Sequence, residues 1–207
     1  EPPVVPATVP VVRVYPSPLS RDLALRRFRS FGGPAEASFI PSPRGVVIRA
    51  GDHLYTRDAT GTEFFGNVAR LMAESPGEAP PISDASATAI ALEHFRRHNP
   101  SLAEEAVVDR VRHLMNQESD IAADRDSPAT QDESILFLNR RIGSVDVIGP
   151  LGDGASVHVD NFGNVVGMKR TWRRAVATAD THTILPWEDV RAAFLRKMEG
   201  EMGAESV

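Results

Sequence analysis

Two histidines four residues apart, His94 and His98, come closest to a recognisable piece of chemistry in this chain. On a helix that spacing sets both imidazoles on one face, where they could supply two ligands to zinc. The zinc-peptidase form H-E-x-x-H places a glutamate, the hydrolytic base, directly after the first histidine. Phe95 stands in that place. The chain has no cysteine, which excludes thiolate zinc sites, disulfides and thiol nucleophiles together. Two histidines near a helix C-terminus are more simply explained by the helix dipole and partial burial. The expectation is therefore no bound metal and no cofactor.

The other candidates are weaker as chemistry. His158-x-Asp160 and Asp180-x-His182 have the spacing of a dyad, but on a strand i and i+2 share a face, and Asp160 is better used to turn a hairpin. No G-x-S-x-G elbow is present for a serine nucleophile. The glycine-rich residues 143–154 precede a strand rather than opening a helix, so they do not form a phosphate cradle. The acid pairs Glu104-Glu105 and Glu188-Asp189 fall in expected first helical turns, where the dipole favours carboxylates. Trp172 and Trp187 read as core aromatics.

Elements must position these residues. Ser17 or Ser20 can cap a first helix with Leu19, Leu23, Phe28 and Phe31 as its apolar side, stopped by Gly32-Gly33-Pro34. The arginines at 21, 26, 27 and 29 are expected on its solvated face. Short strands follow at 38–40, 46–49, 53–56 and 62–65, the last two joined through Asp58-Ala59-Thr60-Gly61. Ser83 caps the clearest helix, whose face is Ala87, Ile90, Ala91, His94 and Phe95 and which ends at Asn99-Pro100. Ser101 and Glu104 fit a capping box for a further short helix. Residues 107–115 fit either period, with a strand expected for the second half, and the polar residues 117–133 read as a long loop. Residues 175–183 read as a connection, before a last helix opened by Pro186, faced by Trp187, Val190, Phe194 and Met198, and stopped by Gly200.

The sharpest pattern lies in residues 135–174. Ile135, Phe137 and Asn139 alternate with Leu136, Leu138 and Arg140. Val145 and Val147 repeat at period two before Gly149-Pro150, and Val157, Val159 and Val165 flank the turn residues 160–164. The succession of residues 143–149, then Val157-His158-Val159-Asp160, Gly163-Asn164-Val165-Val166 and Trp172 resembles the end of a PepSY or thermolysin-propeptide-like (cystatin-like) module. In that family a G-I-P-V-x-G turn precedes a V-x-V-D-x-x-G-x-V hairpin. Val157, Val159, Asp160, Gly163 and Val165 match the second part. The first part departs: Gly143 and Gly149 are one residue further apart and the proline is replaced. The resemblance covers residues 83–174, and implies modulation, inhibition or chaperoning of a partner such as a peptidase or cell-envelope component.

Composition bounds the rest. A net charge of −5 argues against a nucleic-acid surface. No apolar run approaches the roughly 20 residues of a membrane span. Glu1 opens a lead containing Pro2, Pro3, Pro6, Pro10, Pro16 and Pro18, read as a spacer beyond a removed signal peptide or anchor. With the missing cysteines, that points to an exported bacterial protein: extracellular, periplasmic or envelope-attached.

The expected fold is α+β, helices packed on a curved antiparallel sheet in two PepSY-like modules. Its parts are a lead at 1–18, a helix and β-meander at 19–74, a linker at 75–82, the PepSY-like module at 83–175, a closing helix at 176–200 and a tail at 201–207. The expected function is non-enzymatic binding of another protein through a sheet edge or hairpin loop. The surface named for it comprises Val145, Val147, Gly149, Pro150, Gly152 and Gly154. The alternative is a small hydrolase or ligand-binding protein whose site is built from His94, His98, His158 and Asp160.

Overall fold

A computed structural model describes residues 8–15, 20–71, 79–117, 119–120, 125–143, 145–147, 154–183 and 185–204. Its first half runs β1 (Thr8–Tyr15), α1 (Arg21–Ser30), β2 (Ser38–Ile40), β3 (Gly45–Ala50), β4 (His53–Asp58), β5 (Glu63–Asn67) and α2 (Val68–Leu71). Then come α3 (Asp84–His98), a 3-10 helix (Pro100–Glu105), β6 (Ala106–Asn116), β7 (Ser119–Asp120), β8 (Arg125–Asp126) and β9 (Thr130–Ile142). The remainder is β10 (Val145–Val147), β11 (Gly154–Asp160), β12 (Val165–Arg170), β13 (Arg174–Thr183) and α4 (Trp187–Ala204). The fold is mixed, with helices and a largely antiparallel open sheet.

The chain divides into two compact units. The smaller is built from β1 and β13, which pair as a two-stranded sheet, and α4. Within it the Thr178 hydroxyl donates to the Val11 carbonyl at 3.1 Å. The larger unit is Tyr15–Arg174.

In the larger unit the strand order is β6–β9–β11–β12–β5–β4–β3–β2, with β10 paired to the C-terminal end of β9. Every pairing is antiparallel. A helix followed by antiparallel strands occurs twice, and the last strands of the two sets meet: β12 pairs β5 from Gly167↔Gly66 to Arg170↔Glu63. Helix α1 lies on β3, and α3 on β9, β11 and β12. One core results, in which Phe28, Ile48, Tyr55 and Phe65 join Ala91, Phe95, Leu136, Val157 and Met168. The two sets of strands thus share both a sheet and a core.

Local chemistry explains the elements. Ser20 Oγ accepts from Leu23 N at 3.4 Å to cap α1, and Ser83 Oγ accepts from Ser86 N at 3.2 Å to cap α3. Ala24 and Phe28 bury one side of α1, and Ala87, Ala91 and Phe95 one side of α3, both at a spacing of four. Asp160 turns the β11–β12 hairpin by accepting from Phe162 N (3.0 Å) and Asn164 N (2.8 Å), with Gly163 at φ 80°. Asp58 does the same for β4–β5 by accepting from Thr60 N and Thr62 N. Gly66 and Gly167, paired in the two central strands, leave room for Leu71 of α2: a Cβ on Gly66 would lie 2.7 Å from Leu71 Cδ1.

Several expectations need correction. Residues 106–116 are strand throughout, because pairing with β9 overrides the helical spacing of Val107, Val111 and Leu114. The expected loop at 117–133 is shorter: β9 begins at Thr130, and β7 pairs β8 inside it. Residues 175–183 are not a bare connection but most of β13, and part of the proline-rich lead is its partner β1. The capping box at Ser101 is not used; Pro100–Glu105 is a 3-10 helix with no side-chain cap. Glu104 and Glu105 therefore end a helix instead of starting one. Helix α4 continues past Gly200 to Ala204. Of the linker at 75–82, residues 75–78 lie outside the described residues.

Candidate functional site

The residues singled out for chemistry are dispersed. His94 and His98 lie with ring centroids 4.4 Å apart and planes tilted by 49°, and both rings lie against Phe31 at the end of α1. Burial, then the neighbouring His98 and Arg97 charges, push the His94 pKa down to about 4, and its Nε2 is buried with no hydrogen-bond partner among the described residues. Burial, then Arg27 and Arg97, also lower His98, while Glu63 works the other way. Both rings are thus neutral at neutral pH. Among the described residues no group of three or more His, Cys, Asp or Glu side chains could hold a metal ion.

His158 belongs to the other side of the sheet. Val157 and Val159 are buried in the core beneath α3, so the strand alternation turns His158 away from it. Its Nδ1 lies 2.6 Å from Glu133 Oε1, and Asp160 is committed to the hairpin turn and to Arg70 Nη1 at 2.9 Å. The fold therefore does not bring His94, His98, His158 and Asp160 into one site. Asp180 and His182 lie on β13, in the smaller unit. Trp172 is buried edge-on against Phe95, centroids 5.1 Å apart, with the Arg140 guanidinium 5.9 Å from its ring. The side chain of Trp187 lies outside the described residues.

Of the surface expected to bind a partner, Val145 and Val147 form β10, pairing Ile142 and Arg140. Arg140 also pairs Ala106, so β10 and β6 flank opposite sides of β9 there. Gly154 opens β11 opposite Asn139. Its N–H donates to Thr171 Oγ1 at 3.0 Å and its carbonyl accepts from Thr171 N at 2.9 Å. Gly149, Pro150 and Gly152 lie outside the described residues.

The strongest electrostatic feature is one that sequence reasoning missed. Glu63 is 0% exposed and accepts from Arg27 Nε (3.0 Å) and Nη2 (2.7 Å), Arg170 Nη2 (3.0 Å) and the Tyr55 hydroxyl (2.6 Å). Arg57 Nη1 stands 3.7 Å away. Burial alone would raise the Glu63 pKa, but the hydrogen bond from Arg27, the charges of Arg170 and Arg27, and Tyr55 hold it down to about 2. Arg27 also donates to the His98 carbonyl (2.5 Å) and to Asn99 Oδ1 (3.1 Å). The expectation that Arg27 belongs to a solvated face is thus overturned: the carboxylate opposite it draws it inward. The signal was present in β5, where Glu63 sits two residues from Phe65 and so shares its core face.

This cluster ties α1, β4, β5, β12 and the C-terminus of α3 together. An ionised carboxylate saturated by these donors is a poor proton carrier, so the chemistry it performs is cohesion.

Exposed chemistry is concentrated at the sheet edges. β6, 11 residues long, pairs only β9 among the described strands. It exposes Val108 (41%), Leu114 (47%) and Met115 (54%). Arg110 and Arg112 reach over the Phe137 ring, their guanidinium carbons 4.9 and 5.8 Å from its centroid. The opposite edge, β2, has only three residues, with Phe39 and Ile40 exposed. No helix among the described residues is long and apolar enough to cross a membrane. Compared with protein-family models, curated proteins and solved structures, the chain matches none.

Proposed function

We propose that this chain is a non-enzymatic, exported protein-binding module that takes an extended segment of a partner polypeptide against the free edge of β6. The observation that carries the reading is the edge itself. Edge strands are ordinarily short or blunted, because their unpaired N–H and C=O groups template further pairing. β6 is about twice the common strand length of roughly 5–6 residues, has one ladder neighbour among the described strands and shows three large apolar side chains to solvent. Irregularities between Val108 and Arg110 and between Leu114 and Met115 leave 110–114 as its regular stretch. An added strand would gain main-chain hydrogen bonds there, with alternate side chains supplying selectivity.

The separation of His94 and His98 from His158 by the sheet favours binding over turnover. The PepSY-like resemblance directs the proposal toward a peptidase or cell-envelope partner, and the lack of cysteine toward export. The test is recovery of a partner from the native envelope fraction with wild type and Val108→Glu/Leu114→Glu, both confirmed folded by circular dichroism. Loss of one defined partner in the variant is expected, and equal recovery refutes the edge. Val147→Lys, on the other side of β9, tests the β10 surface in the same experiment. A hydrolytic activity abolished by His94→Ala or His158→Ala would sink the non-enzymatic reading.

A further inference from the structure

We infer that the segment accepted by β6 is acidic at alternate positions, its carboxylates paired with Arg110 and Arg112; this rests on the edge-binding reading above. Register places the two arginines on one face of the sheet. Arg110 pairs Phe137 and Arg112 pairs Ile135 across β9, whereas Val111 pairs the core residue Leu136 and points to the opposite face. The ring of Phe137 holds both guanidinium groups at the edge. Arg110 is partly neutralised by Asp109, its ion-pair partner. Arg112 is exposed and has no carboxylate partner among the described residues. Of the nearby acids, Glu133 is engaged with His158, Glu105 with Arg140 and Asp84 with His113, while Asp132 keeps its Oδ1 buried rather than turned to the edge.

A strand laid along this edge places every second side chain on the arginine face. Opposite charges directly across a ladder are favourable there and like charges unfavourable. The intervening positions fall beside Val111 on the core side and suit apolar residues. The same rule disfavours a second copy of this chain as the occupant. Antiparallel self-pairing centred on Val111 would set Arg110 opposite Arg112, and centring on Arg112 would set that arginine opposite itself. The partner is therefore a different polypeptide with carboxylates in an i, i+2 pattern.

Fluorescence anisotropy at low salt tests this with two labelled nine-residue peptides, one alternating glutamate with valine and one alternating lysine with valine. Wild type is expected to bind the glutamate peptide about tenfold more tightly, with the preference shrinking as salt rises. Arg112→Glu should erase or invert the preference. Arg112→Gln, a milder change at an exposed position, should reduce it. Equal binding of both peptides, lost in Leu114→Lys, would overturn the acidic preference and leave the edge reading standing. Failure of the glutamate peptide to bind folded protein overturns the inference, and partner recovery that also ignores Val108→Glu/Leu114→Glu removes the edge reading with it. A dimer in sedimentation that Leu114→Lys dissociates would overturn the inference in favour of a second copy.

Discussion

Replacing Glu63 by glutamine keeps the shape of the side chain and removes the negative charge on which Arg27, Arg57 and Arg170 converge. A carboxyl that ionises near about 2 when folded and at 4.5 ordinarily contributes about 3 kcal/mol at neutral pH, since a tenfold change in proton affinity is about 1.4 kcal/mol. Removing one partner of a buried ion pair typically costs about 3–5 kcal/mol, so the two routes agree. Because the folded value is depressed, the contribution is fully present above pH 4.5 and disappears as pH falls from there toward about 2. Urea unfolding of the Tyr15–Arg174 unit, followed by fluorescence of buried Trp172, reads this directly. At pH 7 Glu63→Gln is expected to lower the midpoint by on the order of 1–2 M. Near pH 2.5 wild type and variant should approach one another, because wild type has by then lost most of what the variant never had. The difference between the two cancels the other carboxylates, which titrate alike in both. A pH 7 loss below about 1 kcal/mol, or a gap between the curves that does not narrow in acid, would refute the reasoning that the ionised carboxylate holds these elements together.

Acid should also act through His94, whose folded pKa near 4 lies below its ordinary 6.5. The unfolded chain takes up the proton first, so stability falls between pH 6.5 and about 4 by about 1 kcal/mol after solvent screening, and thermal unfolding of His94→Gln should lack that slope. Gly66→Ala puts a Cβ 2.7 Å from Leu71 Cδ1 and 2.8 Å from Phe64 Cζ; the cost should be about 1–3 kcal/mol, and Leu71→Ala should recover part of it in a double-mutant cycle. Limited proteolysis should cut first between Gln117 and Thr130 and leave the pieces associated, because β6 and β9 pair over Ala106↔Arg140 to Asn116↔Thr130. Earlier cutting within β11 or β12 would contradict the central placement of those strands.

The chain reveals by itself those features whose causes act over a few residues. Ser20 and Ser83 announce helix starts because a hydroxyl caps amides only two or three positions ahead. Asp58 and Asp160 announce hairpins because their carboxylates fold back on amides two and four residues on. The alternation of Leu136, Leu138 and Arg140 with Ile135, Phe137 and Asn139 marks a strand with one core face. The tertiary structure alone decided the features whose partners are remote. Arg27 reads as a solvated residue on its own helix and becomes part of a buried cluster because Glu63, 36 residues away, accepts two hydrogen bonds from its guanidinium. Arg170 reaches the same carboxylate across 107 residues. Residues 175–183 become strand only because β1 lies beside them. β6 has the sequence of an ambiguous segment, and only the sheet order makes it an edge. Burial and ladder pairing depend on what arrives from elsewhere in the chain, and neighbouring residues carry no record of it.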